Sequence, residues 1–217
     1  MLIIRTLAPD ELADCYRLRG QIYVEEKAYL GPEVMVNGVE SDQDDERSVH
    51  GGAFTKSGDL IGTFRLILRR GVPLPIEDHF GLSPQGTSAE LSRLAVHPAY
   101  RTSLATIGLC RWSYDIALEQ CVTHVYAILE RPLLMNLRIL GFPFTVQGEP
   151  RQLMGGVLVP TVCVVSETVP ALGQADSNRE APQLSALFIA PFTGVLRSAD
   201  IGAPVERRAS PLPVAST

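Results

Sequence analysis

A chain of 217 residues, 46% of them hydrophobic, suits one domain with a substantial core plus an appendage. Its formal charge of −5 gives no electrostatic footprint for nucleic acid, and it holds no run of about 18 apolar residues that would cross a membrane. Cys15, Cys110, Cys121 and Cys163 stand without a C-x-x-C pair, which argues against zinc and redox motifs; with no signal-peptide pattern at the N-terminus, the expectation is a soluble, cytoplasmic protein with reduced thiols.

Residues 2–7 read as a first strand. Pro9-Asp10-Glu11 then opens a helix that runs to about residue 26, proline fitting its first turn and the acids its positive end. The apolar stripe of this helix is Leu12, Cys15, Tyr16, Ile22 and Tyr23, and Arg19 falls inside it, as a snorkelling side chain or as a site residue. From Tyr29 to Arg47 there is no period, and the segment carries Gly31-Pro32, Asn37-Gly38 and an acidic run from Glu40 to Glu46. Alone, such a run is a solvated loop. It is not a calcium loop, because Asp45 stands where that loop needs glycine and Gly51 where it needs a bidentate carboxylate.

Residues 49–55 and 60–68 read as two strands joined through Lys56-Ser57-Gly58-Asp59, with Arg65 the one charge in the second. Residues 75–80 form a short helix or turn. Residues 89–98 read as a buried central strand, apolar on both faces and ended by Pro98. Glu90 and Arg93 are embedded in it, and burying either unpaired costs several kcal/mol, so they must be paired or face a polar cavity. Residues three apart on a strand point to opposite faces. If both serve one site, the strand carries a bulge, which also frees backbone N–H groups for an anionic oxygen.

A helix follows from residue 103 to about 120, N-capped by Thr102 or Ser103. Residues 124–129 form a strand, 132–140 a helix stopped by Gly141, and 157–165 a last strand. Residues 1–167 therefore make the domain. Beyond it the composition turns to Pro, Ala, Gly and Ser, and residues 168–217 are expected to be a flexible tail, with Leu184–Ile189, Phe192 and Val195-Leu196 as an apolar exception that docks on the body or else touches a membrane or partner, docking being the simpler reading.

The misplaced charges are Arg19, Arg65, Arg93, Glu90, Glu40, Asp42 and Asp45. A buried ion-pair network is the structural reading of the set, and a site is the functional one. Arg19-x-x-x-Tyr23, Glu40-x-Asp42-x-x-Asp45, Gly62-x-x-Arg65 and Glu90-x-Ser92-Arg93 together resemble, in order and spacing, the signature of the acyl-homoserine-lactone autoinducer synthases and of their relatives, the long-chain N-acyl amino acid synthases. The resemblance spans about residues 19–165. Residues 18–26 and 94–101 look more like the N-acyl amino acid synthase branch. Tyr29 stands at the position of a tryptophan that the autoinducer synthases place in their S-adenosylmethionine pocket.

The resemblance implies an α/β, GNAT-like fold, with a central mixed, twisted sheet flanked by helices and a bulged central strand. It also implies an N-acyltransferase that moves a fatty acyl group from a thioester to the amine of an amino acid. Synthesis of acyl-homoserine lactones from S-adenosylmethionine, as in quorum sensing, is the same-class alternative, and a catalytically silent acyl-binding or regulatory module the other. Residues 101–106 offer no glycine for close backbone approach to a pyrophosphate. Acyl carrier protein is therefore the expected donor ahead of acyl-coenzyme A, received by an arginine patch drawn from Arg69, Arg70, Arg101 and Arg111. No metal and no bound cofactor is expected.

An α-amine with a pKa near 8 must lose a proton before it attacks a thioester. Glu90 is the first candidate base and Glu40 the second. Arg19, Arg65 and Arg93, with Ser92, Tyr23 and Tyr29, are expected to order the acidic loop through Asp42 and Asp45 or to bind the acceptor.

Overall fold

The structure is a computed structural model and describes residues 1–101, 103–177, 184–197 and 200. The strand β1 (Leu2–Thr6) leads through a 3-10 turn at Pro9–Glu11 into α1 (Leu12–Gly20), which continues as a π-helical turn at Gln21–Glu26. The acidic segment is built rather than loose. It opens with a two-residue hairpin of β2 (Met35–Val36) and β3 (Val39–Glu40), turned at Asn37-Gly38 with φ of 53° and 79°. Positive φ at both central residues is what an Asn-Gly hairpin supplies.

The chain then runs β4 (Ser48–Phe54), β5 (Leu60–Leu68), α2 (Pro75–Phe80), β6 (Ser88–Val96) and α3 (Ser103–Glu119). It continues with β7 (His124–Glu130), α4 (Arg131–Leu140), β8 (Thr145–Val146), β9 (Arg151–Leu153) and β10 (Gly156–Val164), and ends with α5 (Val165–Ser177), α6 (Leu184–Ile189) and β11 (Val195–Leu196). The N-cap side chains expected at Thr102 or Ser103 lie outside the described set.

Apart from the β2–β3 hairpin, which forms its own two-stranded sheet, the described strands form one mixed sheet in the order β11-β1-β4-β5-β6-β7-β10-β8, with β9 also on β10. Strand alternation sorts the side chains. Phe64, Leu66 and Leu68 of β5 enter the main core with Ile107, Leu109 and Trp112 of α3. Thr63 and Ile67 face the other side, toward Cys15 of α1 and Ile76 of α2. α3 lies close on the sheet because β4 has glycine beneath it: a Cβ on Gly51 would stand 2.5 Å from Trp112 Cε3.

Two irregularities position the site. Thr63 pairs with Ala95 but Arg65 with Ser92, so three steps on β6 match two on β5. This is a bulge at Arg93-Leu94, with Arg93 at φ 53°. It resolves the parity problem posed by Glu90 and Arg93 and turns Arg93 to the α1 face. In addition, β6 and β7 are parallel and paired only from Ser88/His124 to Leu91/Ala127. Beyond Leu91 they part, and a cavity opens between them.

The chain after residue 167 departs from a flexible tail over its described residues. α5 runs to Ser177, β11 pairs with β1 at Leu2/Leu196 and Ile3/Val195, and Leu184, Phe188 and Leu196 are buried. Burial of three such side chains contributes roughly 5 kcal/mol toward holding on the body a segment whose average composition resembles a linker. Arg111 fixes it: 3% exposed, it donates to Leu187 O at 2.8 Å and Ala190 O at 3.1 Å.

Candidate functional site

Arg19, on α1, is fully buried. Its Nε donates to Glu40 Oε2 at 2.5 Å, and its Nη1 and Nη2 donate to Asp45 at 2.7 and 3.2 Å. Arg65 donates to Asp42 Oδ1 at 2.5 Å, to Asp45 Oδ1 at 2.7 Å and to Ser92 Oγ at 2.9 Å. Arg93 donates to Glu40 Oε1 at 3.1 Å and to Asp42 Oδ2 at 2.9 Å. Three guanidinium groups thus meet three carboxylates in a closed network pinning the acidic segment to α1, β5 and β6. Such a block holds because each buried charge finds several charge-assisted bonds; removing one partner leaves the others uncompensated.

Burial opposes ionisation of Asp45, but the hydrogen bond from Arg19 and the charges of Arg19 and Arg65 hold its carboxyl down at about 2. Burial likewise opposes ionisation of Asp42, and Arg65 outweighs it, so that carboxyl also lies below its usual value. His50 borders the network 3.7 Å from Asp45 Oδ1, its imidazole pushed down by burial, and among the described residues its Nδ1 has no partner.

Glu90 behaves differently. It is 2% exposed, and its Oε2 accepts from the Ile76 N–H at 2.8 Å at the start of α2. Among the described residues none of the three arginines bonds it, so of the two expected arrangements Glu90 takes the second, one backbone donor and a place on a cavity wall. Burial raises its carboxyl to about 8 against that donor and the more distant Arg65. A carboxylate poised there is matched to an amine of similar pKa.

The cavity between β6 and β7 has a volume of about 770 Å³, the range of small-molecule sites. Glu90, Ser92, Arg93, Arg65, Asp42, Tyr23, Tyr29 and Arg101 all line it. Arg19, Glu40 and Asp45 do not. Glu40, the second candidate base, is corrected to a structural role: both its oxygens accept from guanidinium groups, and it is 1% exposed outside the cavity.

Tyr23 and Tyr29 are placed by the π turn. Tyr29 N–H donates back to Tyr23 O at 2.8 Å and the rings meet edge to face at 6.0 Å. Tyr23 OH donates to Leu94 O at 3.0 Å, taking up a bulge carbonyl that β7 leaves unpaired. Burial, then Glu130, pushes the Tyr29 hydroxyl up to about 12. The wall continues with the apolar Leu129, Leu133, Leu137, Phe144 and Leu158, and with the polar Lys27, Gln43, Asp44, His79 and Glu130. No sequence signal marked the apolar ones, since they read as ordinary core until the strands are seen to part.

The proposed arginine patch does not exist as a unit. Arg69 follows β5 and pairs with Glu77 at 2.8 Å, with Arg70 beside it. Arg101 lies beyond the far end of β6, bound to Glu26 at 2.6 and 2.5 Å. A nine-residue strand, roughly 30 Å long, separates them. Arg111 is buried beneath α6 and bonds Asp115.

The chain matches the family described as N-acyl amino acid synthase FeeM over residues 14–164. Among solved structures it resembles FeeM itself, an N-acyl amino acid synthase from uncultured soil microbes, at 16% identity over 82% of this chain and 98% of that one, with a TM-score of 0.65. It also resembles the acyl-homoserine-lactone synthase LasI, at 16% identity over 76% and 90% with a TM-score of 0.65. BjaI, a coenzyme A-dependent acyl-homoserine lactone synthase solved with S-adenosylmethionine and isopentyl-coenzyme A, is 20% identical over 88% and 92% with a TM-score of 0.66. At these identities the structural likeness establishes a common GNAT-like fold. No curated protein matches.

Proposed function

Because this chain belongs to the N-acyl amino acid synthase FeeM family, and is therefore an acyltransferase, we propose that it joins a fatty acyl group, delivered as a thioester, to the α-amine of an amino acid. The observation that carries the reading is the position of Glu90, a carboxyl at about 8 on the wall of the cavity, near the point where β6 and β7 part.

The acyl chain lies along Leu129, Leu133, Leu137 and Phe144. Its carbonyl reaches the parting of the strands, and the acceptor enters from the side of Asp42 and Glu90. Glu90 takes one proton from the ammonium, and the amine lone pair then attacks the carbonyl carbon. Beyond Leu91, β6 has no partner on its β7 side among the described residues, so its backbone N–H groups there are available to the tetrahedral oxyanion. Collapse breaks the C–S bond, and the second amine proton leaves with the thiolate as free thiol. The ion network acts beneath this chemistry by fixing Ser92 and the bulge.

Incubation with acyl-carrier and acyl-coenzyme A thioesters of several chain lengths, a mixture of amino acids and S-adenosylmethionine, followed by mass spectrometry, tests the reading. An N-acyl amino acid is the expected product. Acyl-homoserine lactone alone would move the acceptor to S-adenosylmethionine, and no product would leave a silent acyl-binding module.

A further inference from the structure

Resting on Glu90 as the base, we infer that Arg47 is a positioning residue for the acyl transfer: it clamps the start of α2 to the acidic segment and so holds the Ile76 N–H on Glu90. Arg47 ends the 3-10 turn Asp45–Arg47, just before β4. Its Nε and Nη2 donate to Asp44 Oδ1 at 3.0 and 2.5 Å, its Nη1 donates to Val72 O at 2.9 Å, and its Nη2 also donates to Pro73 O at 2.6 Å. All three guanidinium nitrogens are committed. The Arg47 and Asp44 side chains are 15% and 13% exposed, which sets them apart from a solvated surface pair.

The two carbonyls belong to the loop between β5 and α2, where Pro73 and Pro75 have no N–H to give. Among the described residues Arg47 supplies the hydrogen bonds that join this loop to the acidic segment. Three residues past Pro73, the Ile76 N–H meets Glu90 Oε2 at 2.8 Å. A second brace stays within the loop and its helix: Arg69 holds Glu77 at 2.8 Å, and Glu77 Oε1 accepts from the Leu74 N–H at 2.8 Å. Leu74 and Ile76 pack with Ile67 and seat α2 on the sheet. Apolar contact is non-directional, whereas a hydrogen bond weakens steeply off line. The ion network pins the acidic segment to β5 and β6, so the Arg47 clamp carries that alignment across to α2.

Arg47 also acts on charge. Glu90 is faced by Arg65 from β5 and by Asp44 and Arg47 from the acidic segment, with Tyr126 opposite it on β7 and His79 of α2 on the cavity wall. Arg65 is committed to Asp42 and Asp45, Glu77 to Arg69, and the Tyr126 hydroxyl to the Gln85 N–H. Asp44 lines the cavity, and without Arg47 its uncompensated anion opposes ionisation of Glu90. Removing Arg47 therefore loosens a donor, deletes a cation and frees an anion, and all three favour the neutral acid.

The test reads the pH profile of kcat, the thioester KM and two NMR titrations in the wild type, R47Q and R47K. One titration follows the 13C carboxyl of Glu90, assigned by its disappearance in E90Q; the other follows the Ile76 amide proton, whose shift tracks the Glu90 titration while their hydrogen bond is made. The wild-type midpoint lies near 8. In R47Q it should move up by about one pH unit, so that kcat at pH 7 falls about ten-fold and recovers at higher pH, with the thioester KM unchanged. R47K keeps the charge without the planar fork. Its midpoint should fall between the other two, and the Ile76 response should shrink in both variants. Should R47Q fail to fold, R47K alone decides. An undiminished Ile76 response would overturn the clamp, as would a loss of kcat equal at every pH with the carboxyl midpoint unmoved. If the wild type transfers from no thioester, the acyltransfer reading fails, and the two titrations still decide whether Arg47 holds Ile76 on Glu90.

Discussion

Glu90→Gln preserves the shape of the side chain and an acceptor for the Ile76 N–H, and removes the titration. The carboxyl moves from an ordinary 4.5 to about 8 on folding, so the folded protein keeps a proton that the unfolded chain releases. The contribution of the neutral acid is fully present below 4.5 and is lost as pH rises through 8. One linked proton corresponds to about 1.4 kcal/mol per pH unit. Across that window the glutamine variant should therefore gain on the wild type by roughly 5 kcal/mol, an upper figure because local relaxation softens buried charges. Urea unfolding of both proteins from pH 5 to 9 at fixed ionic strength reads this directly, since the other groups cancel in the difference. The gap should widen steadily and level off above about pH 8. A gap that stays constant would mean that Glu90 ionises as in water, and the apolar wall around it would have been misjudged. In turnover the same variant should fall by about 10²–10⁴-fold; a wild-type rate would remove Glu90 from the role of base.

Asp45→Asn leaves Arg19 and Arg65 short of a carboxylate and should lose about 3–5 kcal/mol at pH 7 by denaturant unfolding; a loss below about 1 kcal/mol would show that water already screens the network. In the wild type the contribution of Asp45 is present above 3.8 and fades as pH falls toward 2, so the two proteins should converge in acid. Deleting residues after 177 exposes what Leu184, Phe188 and Leu196 cover, and leaves Arg111 without two of its acceptors. The truncated chain should melt lower or aggregate, and an unchanged melting temperature would refute the docking. Gly51→Val forces a side chain into Trp112 and should cost about 1–3 kcal/mol, read by the same unfolding assay.

The local grammar of this chain was largely legible. Proline and glycine marked the ends of α2 and α4, and the opposed parity of Glu90 and Arg93 called for the bulge found at Arg93. Partnership between distant segments was not. Glu40 and Glu90 are the same residue type and both are buried, and only the guanidinium groups found on one, and among the described residues not on the other, separate a structural anion from a candidate base. Arg69 and Arg101 look like one patch in a list of arginines and lie at opposite ends of a strand once the topology is known. In the C-terminal segment the apolar exception at Leu184–Ile189 and Val195-Leu196 is legible, but its partners are not, because composition averages over a stretch whereas docking depends on a few residues meeting a surface built far earlier in the chain, as Leu187 meets Arg111.

The ion network has a temporal side. Its bonds join residues between 20 and 53 positions apart, so loop-closure entropy opposes each until the strands that carry Arg65 and Arg93 have paired. The hairpin of β4 and β5 can assemble from local contacts, but the network closes only when α1, the acidic segment and the bulged strand are already in place. It is therefore a late lock on the native state. Disturbing it falls mainly on the rate at which the molecule comes apart rather than on the rate at which it folds, and the lifetime of the folded site depends in part on Arg19, Glu40 and Asp45, which do not line the cavity.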